Sequence, residues 1–313
     1  MFIKFFNKRR MSIRILKAGQ GILIDTGHTR YALDKVSGNV AADYNLITHA
    51  HIDHLPYNPR GRVYASKETL HLARLRGYRY RRVVEEVKDV EDIDSGHILG
   101  SKAFLIEGKI LYTGDFNIWN RLFLKGFKPP KTEILIIEAT YGAPDFIFGE
   151  FNKLLDKLLS TISRYILEGR NIVLEAFPLG KLQLISEVLK NVKNVYLHNE
   201  VYKYNRAYKE LGYIKEEKRV FKPGYVDTPF ILLSPIRRLG TEFMERYNPV
   251  SIYLSGWAVR MRRLGIPISD HVDFNGLIKT IEEIEPKKIY VAYGYSLKFS
   301  KILSDMGYNA EPI

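Results

Sequence analysis

The chain has 313 residues, 46% hydrophobic and 12% aromatic, enough apolar material for a packed core, which excludes an intrinsically disordered chain. It has no cysteine, which excludes disulfides and thiolate metal sites, and no apolar run of the roughly 18–20 residues that a spanning helix needs. A net charge of +13 favours a polyanionic partner through counterion release, and the whole profile suits a soluble, cytoplasmic protein with no membrane role.

The first ten residues read as a short basic tail, or as an upstream start ahead of Met11, rather than as a targeting segment. Short β segments are predicted at Ser12–Leu16, Gly21–Asp25, Arg30–Leu33 and Asn45–Thr48, each apolar or β-branched and most ending at Gly, Asp or Asn. Helical periodicity appears at Lys67–Arg76, then strands at Ala103–Glu107 and Ile110–Thr113 around a Gly108-Lys109 turn, and a buried-type strand at Ile134–Ile137. After Gly142 the texture changes to helices at Phe151–Leu167, Leu179–Leu189 and Val201–Leu211, alternating with strands at Asn171–Leu174 and Asn194–Leu197. A helix at Asn275–Ile284, a strand at Lys288–Ala292 and a helix near Leu297–Met306 complete the chain. Such alternation predicts an α/β fold with a parallel sheet, its layered core interrupted by a smaller α/β unit.

Three of the eight histidines crowd into His49-x-His51-x-Asp53-His54, directly after the strand end Leu46-Ile47-Thr48. Neutral imidazoles and carboxylates are the usual ligands of zinc and similar ions, and a strand end gives them a rigid base. Downstream, His97 lies in Ser95-Gly96-His97-Ile98-Leu99-Gly100, and Asp25 and Asp115 each end an apolar strand. Singly, each of these three reads equally as a turn or loop residue; their order and spacing together mark a metal site.

The series Asp25, His49-x-His51-x-Asp53-His54, His97 and Asp115 resembles the metallo-β-lactamase superfamily. The resemblance implies an αββα sandwich with two divalent ions, Zn²⁺ or Mn²⁺. His49, His51 and His97 would hold the first ion, Asp53 and His54 the second, and Asp115 would bridge them, with Asp25 fixing the histidine loop. Three stretches, Glu138-Ala139-Thr140-Tyr141-Gly142, Ser255-Gly256-Trp257-Ala258 and Ser269-Asp270-His271-Val272-Asp273-Phe274, resemble the β-CASP nucleases of that superfamily. By that resemblance a metallo-β-lactamase core, residues 1–142 and 266–313, carries a β-CASP domain inserted at 143–265. The branch resembled is that of ligase-associated DNA exonucleases and archaeal mRNA 3′-end processing factors.

The implied activity is phosphodiester hydrolysis of nucleic acid, exonucleolytic and with DNA favoured over RNA, by attack of a metal-bound hydroxide. His271 would act as general acid, paired with Glu138, with Asp53 and Asp25 in supporting catalytic roles. A DNA ligase or repair partner is implied by the resemblance alone. One residue departs from the pattern: Tyr293 stands where the last β-CASP histidine usually ligates the second ion, as that histidine is also missing in Artemis-type DNA nucleases. A phenol is a poor ligand at neutral pH, which predicts a weak second site.

For substrate contacts the sequence offers Arg260, Arg262 and Arg263 shortly before His271, and Lys181 after Gly180 at a helix start, where a phosphate or plain solvent would meet it. Tyr141 and Trp257 serve either as base-stacking rings or as core aromatics. The run Arg74-Leu75-Arg76-Gly77-Tyr78-Arg79-Tyr80-Arg81-Arg82 is either a backbone-tracking groove or a solvated helix end. Three alternatives stand beside the DNA exonuclease: an RNA-processing endo- or exonuclease of the same fold, a nucleic-acid-binding protein with reduced catalysis, and a glyoxalase II-like hydrolase of small esters.

Overall fold

A computed structural model describes residues 13–36 and 40–313. In chain order the elements are β1 (Arg14–Ala18), β2 (Gly21–Asp25), β3 (Arg30–Leu33), β4 (Tyr44–Leu46), β5 (Arg62–Tyr64), α1 (Lys67–Leu75), β6 (Val90–Asp94), β7 (Lys102–Ile106), β8 (Ile110–Tyr112), β9 (Ile134–Glu138) and α2 (Phe151–Leu167). Then follow β10 (Ile172–Ala176), α3 (Lys181–Val188), β11 (Val195–Leu197), α4 (Asn199–Glu210), β12 (Arg219–Val220), β13 (Ile231–Pro235), α5 (Thr241–Tyr247), β14 (Val250–Leu254) and β15 (Gly265–Ile266). The last are α6 (Phe274–Ile284), β16 (Lys288–Ala292), α7 (Ser296–Asp305) and β17 (Ala310–Pro312). Ser12 and the basic tail fall outside the described residues.

The α/β class holds, built on three sheets. The first runs β1-β2-β3-β4-β5, the second β17-β16-β9-β8-β7-β6, and the third, drawn wholly from residues 172–266, β12-β11-β13-β10-β14-β15. The first two face each other: Ile22, Ile24, Leu33 and Leu46 of one pack against Phe104, Ile106, Ile110 and Ile136 of the other, a shared apolar layer removed from water. Helix α1 covers the outer face of the first sheet through Leu70 and Ala73, and α6 and α7 cover that of the second through Leu277, Ile281, Phe299 and Leu303. The third sheet is parallel throughout, and its inner strands β10, β11 and β13 are buried on both faces, so they are mostly apolar runs. Its central strand β13 sits between Pro229 and Pro235, turn-type punctuation that disguises a strand in the sequence.

Strand direction positions the site. In the first sheet β3 and β4 are parallel, Leu33 opposite Leu46, so their C-terminal ends share one edge. In the second, β8, β9 and β16 are parallel, with Tyr112 opposite Ile136 and Ala292 opposite Glu138. The loops that carry His49, Asp115 and Tyr293, and Glu138 at the end of β9, therefore open at one rim. Gly114 lets the two sheets close there, because a Cβ at this position (φ +53°) would stand 2.7 Å from the Thr48 methyl. The third-sheet segment docks on the same rim through Leu179, Leu184, Tyr204 and Tyr208, packed against Ala50, Leu72, Ile98 and Leu99. No helix among the described residues is long and apolar enough to cross a membrane.

Candidate metal centre and cleft

His49, His51, His97 and Asp115 bring one donor atom each within 4.8 Å of one another. His49 Nε2 lies 3.0 Å and His97 Nε2 3.1 Å from His51 Nδ1, while Asp115 Oδ2 lies 3.5 Å from His49 Nε2 and 3.6 Å from His97 Nε2. The outward nitrogens fix the tautomers. Thr48 Oγ1 gives its proton to Asp34, so it accepts from His49 Nδ1–H at 3.0 Å. The carbonyl of Leu179 accepts from His51 Nε2–H at 3.2 Å, and that of Asp270 from His97 Nδ1–H at 3.1 Å.

Three unprotonated nitrogens therefore converge with a carboxylate. Burial, reinforced by neighbouring imidazoles, holds His49 and His97 well below the usual histidine range, and burial brings His51 down to about 4. Converging lone pairs repel one another unless a cation lies between them, so the donor set fits a divalent ion.

The neighbouring group is His54, whose Nδ1–H donates to Asp34 Oδ2 at 2.9 Å. Its Nε2 faces two carboxylates, Asp115 Oδ2 at 3.4 Å and Asp53 Oδ2 at 3.9 Å. Burial disfavours a charged His54, but the Asp115 and Asp34 carboxylates outweigh it and push the imidazole well above its usual range. The extra proton held on Nε2 between two carboxylates marks the place a second cation would take.

Asp25 requires a correction. It takes the Arg30 guanidinium at 3.0 Å and the Gly27 amide at 2.8 Å, closing the β2–β3 turn rather than fixing the histidine loop. Asp34 does that work: wholly buried, it accepts from Thr48 N at 2.7 Å, Thr48 Oγ1, His54 and Tyr112 Oη at 2.7 Å. Tyr293 joins the same network through its hydroxyl, 2.9 Å from that of Tyr112.

His271 enters from the loop before α6. Its Nδ1–H is shared between the two oxygens of Glu138, at 2.8 and 3.0 Å, and its Nε2 lies 3.8 Å from Asp115 Oδ2. Glu138 is buried and held in turn by the Phe116 amide at 2.9 Å. Burial opposes a charge on His271, but Glu138 first and Asp115 next raise it to about 9.

Arg121, for which the sequence carries no signal, is almost fully buried. It donates to Ser269 O at 2.9 Å, His97 O at 2.7 Å, Gly96 O and Asp270 Oδ1, tying the His97 loop to the His271 loop. The other oxygen of Asp270 takes Lys181 Nζ at 3.1 Å. Lys181 is therefore a buried counter-ion rather than a surface phosphate ligand, the second correction. Just before it, Gly180 (φ +108°) meets Ile98, where a Cβ would stand 2.6 Å from a side-chain methyl.

A cavity of about 860 Å³ opens over the donors, lined by His51, Asp53, His54, Asp115, His271, Trp257 and Tyr293, and also by Lys17, Arg76 and Phe177. Tyr141 is buried among Phe146, Phe148 and Trp257 with its ring 5.9 Å from that of His271, so it backs the histidine and offers no face to a base. Arg260 is engaged by Asp145 and Tyr295 and stacks on Phe146; Arg263 faces Glu175 at 3.6 Å and stacks on Tyr253; Arg262 is exposed. Lys17 and Phe177, lone residues in ordinary strand and loop contexts, carry no signal in the sequence.

No family model matches the chain. It is 26% identical over 286 residues to a protein named probable DNA ligase from Opitutus terrae, which covers 85% of this chain and 28% of that protein. It is 29% identical over 206 residues to an RNase J-like protein from Methanocaldococcus jannaschii, covering 55% of this chain and 48% of that one. These relatives are members of the metallo-β-lactamase/β-CASP family, to which the chain is similar. The chain spans less than half the length of each of these two relatives. Among solved structures it resembles a protein of unknown function from Enterococcus faecalis V583, with a TM-score of 0.61 at 14% identity, covering 89% of this chain and 93% of the other. The buried His/Asp cluster of this chain suits the divalent-metal dependence general among those relatives.

Proposed function

We propose that the chain hydrolyses phosphodiester bonds of nucleic acid, removing nucleotides from a strand end, with DNA preferred over RNA. The observation that carries this reading is His271, fixed by Glu138, aimed from the cleft wall at the Asp115 side of the donor cluster. We assign residues 1–142 and 266–313 to a metallo-β-lactamase αββα core and 143–265 to an inserted β-CASP domain, the cleft lying between them. A cleft of about 860 Å³ matches a small-ligand site, so it takes a nucleotide or two of a single strand and not a duplex.

His49, His51, His97 and Asp115 would hold one divalent ion, and Asp53, His54 and Asp115 the other, Zn²⁺ or Mn²⁺. Bound there, the ions would supply a water that ionises near neutral pH and positive charge for the phosphate oxygens. The chain's own residues do the rest. Glu138 holds His271 Nδ1–H, which leaves the proton on Nε2 facing the cleft, where it passes to the departing oxygen. Asp34 orients His54 and Thr48, and through Thr48 His49, so the donors need no rearrangement. Trp257 lines the cleft as a ring for a base, and Arg262 stands exposed to meet the strand beyond it.

The test is a panel of end-labelled single- and double-stranded DNA and RNA with Mn²⁺ or Zn²⁺ and a chelator control. Metal-dependent shortening of single-stranded DNA, with kcat reduced about 10²–10⁴-fold in His271→Ala, is expected. Tight, salt-sensitive binding without cleavage under any metal would leave a binding protein, the reading that Tyr293 in the histidine's place favours. Turnover of a thioester with no nucleic-acid cleavage would sink both.

A further inference from the structure

Five arginines lie in the basic-aromatic run 74–82, and from that run the cleft takes Arg76. It caps the C-terminus of α1, and that end is pinned from the third-sheet segment by Lys203 Nζ, which donates to Leu75 O. The Arg76 guanidinium lies over the ring of Tyr204 on α4, 5.0 Å from its centroid, a cation–π contact that restrains it. Its Nε is buried with no hydrogen-bond partner among the described residues. Glu200, which also lines the cleft, faces Arg238 at 3.9 Å.

A pre-placed guanidinium opening on a cleft is a site for an anion that presents two oxygens to its fork, such as a phosphate. Arg76 and His51 line the same cleft, and His51 donates to Leu179 O, two residues beyond Phe177. Phe177 lines the same cleft and is 62% exposed, an uncovered ring of the kind on which a base stacks.

We propose that Arg76 is a phosphate-binding residue for the substrate strand: its guanidinium grips a phosphate next to the scissile one, on the His51 side of the cleft, with Phe177 against the adjoining base. This rests on the phosphodiesterase reading above. No bond is made or broken at Arg76, so its contribution falls on strand binding.

The experiment uses the full chain and a short fluorescent single strand with cleavage-resistant phosphorothioate links, titrated across a salt series and read by anisotropy. Arg76→Gln is expected to raise Kd about tenfold and to reduce the slope of log K against log salt by about one. On a cleavable strand it raises KM and leaves kcat close to wild type. Arg76→Lys keeps the slope and loses part of the affinity, because the forked grip is gone. Arg206→Gln, on the exposed face of α4 and paired with Glu210, changes neither. Wild-type Kd and slope in Arg76→Gln would overturn the assignment and leave the phosphodiesterase reading standing. A wild-type protein that binds no strand would overturn both. Should the Gln variant melt early, Arg76→Lys decides, and a Kd equal to wild type overturns the forked grip.

Discussion

The carboxylate of Asp34 stands between a histidine and a tyrosine: it accepts His54 Nδ1–H at 2.9 Å and Tyr112 Oη–H at 2.7 Å, with Thr48 on its other oxygen at 2.9 Å. Because His54 Nε2 faces Asp115 and Asp53, Asp34 sets the direction of a metal donor without touching the metal's place. Outer partners of this kind typically carry about 10–100-fold in metal affinity. Asp34→Asn is therefore expected to weaken metal binding by about that factor, read by calorimetry or metal analysis after dialysis, while Asp25→Asn leaves metal uptake unchanged. Equal metal binding in both variants would remove Asp34 from the account.

Glu138 sets the charge on His271, which stands at about 9. In the proposed general-acid role His271 works only while protonated, so the proposed activity is expected below that value and lost as pH rises through it. Glu138→Gln removes the main raising influence. The alkaline limb of the pH–kcat profile is then expected to move to lower pH, toward the ordinary histidine value near ~6.5. An alkaline limb that stays in place would assign it to some other group.

Asp270 lies between two buried cations, Arg121 Nη1 and Lys181 Nζ, each at 3.1 Å. Burial raises its pKa, but Lys181 and then Arg121 overcome this and hold the carboxyl well below its usual range. Its folded pKa is depressed, so the stabilisation is complete above the unfolded value near ~3.9 and drains away as pH falls through the folded one. Asp270→Asn strands both cations and is expected to cost about 3–5 kcal/mol at neutral pH, with the gap to wild type closing in acid. Thermal melts across pH read this directly. Lys181→Met is expected to leave the salt dependence of nucleic-acid binding unchanged, which separates the buried counter-ion from a phosphate ligand.

Tyr293 directs its hydroxyl at Tyr112, 2.9 Å away, and on the proposed two-ion reading a phenol stands where a second histidine donor is expected. Manganese titration is expected to find one tight and one weaker site, and Tyr293→His to tighten the weaker one about tenfold or more. Two equally tight sites in the unmodified protein would remove the penalty assigned to the phenol.

The candidate donors and their local setting are legible in the residue order alone. The crowding of His49, His51, Asp53 and His54 behind an apolar strand, and Asp115 behind another, needed only composition and period-two patterning. Helices α1, α2 and α6 were legible within a residue or two, because their amphipathic period is local. What the sequence could not rank was Asp25 against Asp34, each an aspartate closing a short apolar strand. Strand direction ranks them: β2 runs antiparallel to β3, so Asp25 lies opposite Arg30 at the far edge, whereas β3 and β4 are parallel and deliver Asp34 beside Thr48. The burial of Lys181 and Arg121 around Asp270 was decided the same way, by segments 89 and 149 positions apart along the chain meeting at one rim. Side-chain chemistry is written residue by residue, but the partner that fixes a charge is chosen by long-range pairing, and only the folded chain brings those groups within reach.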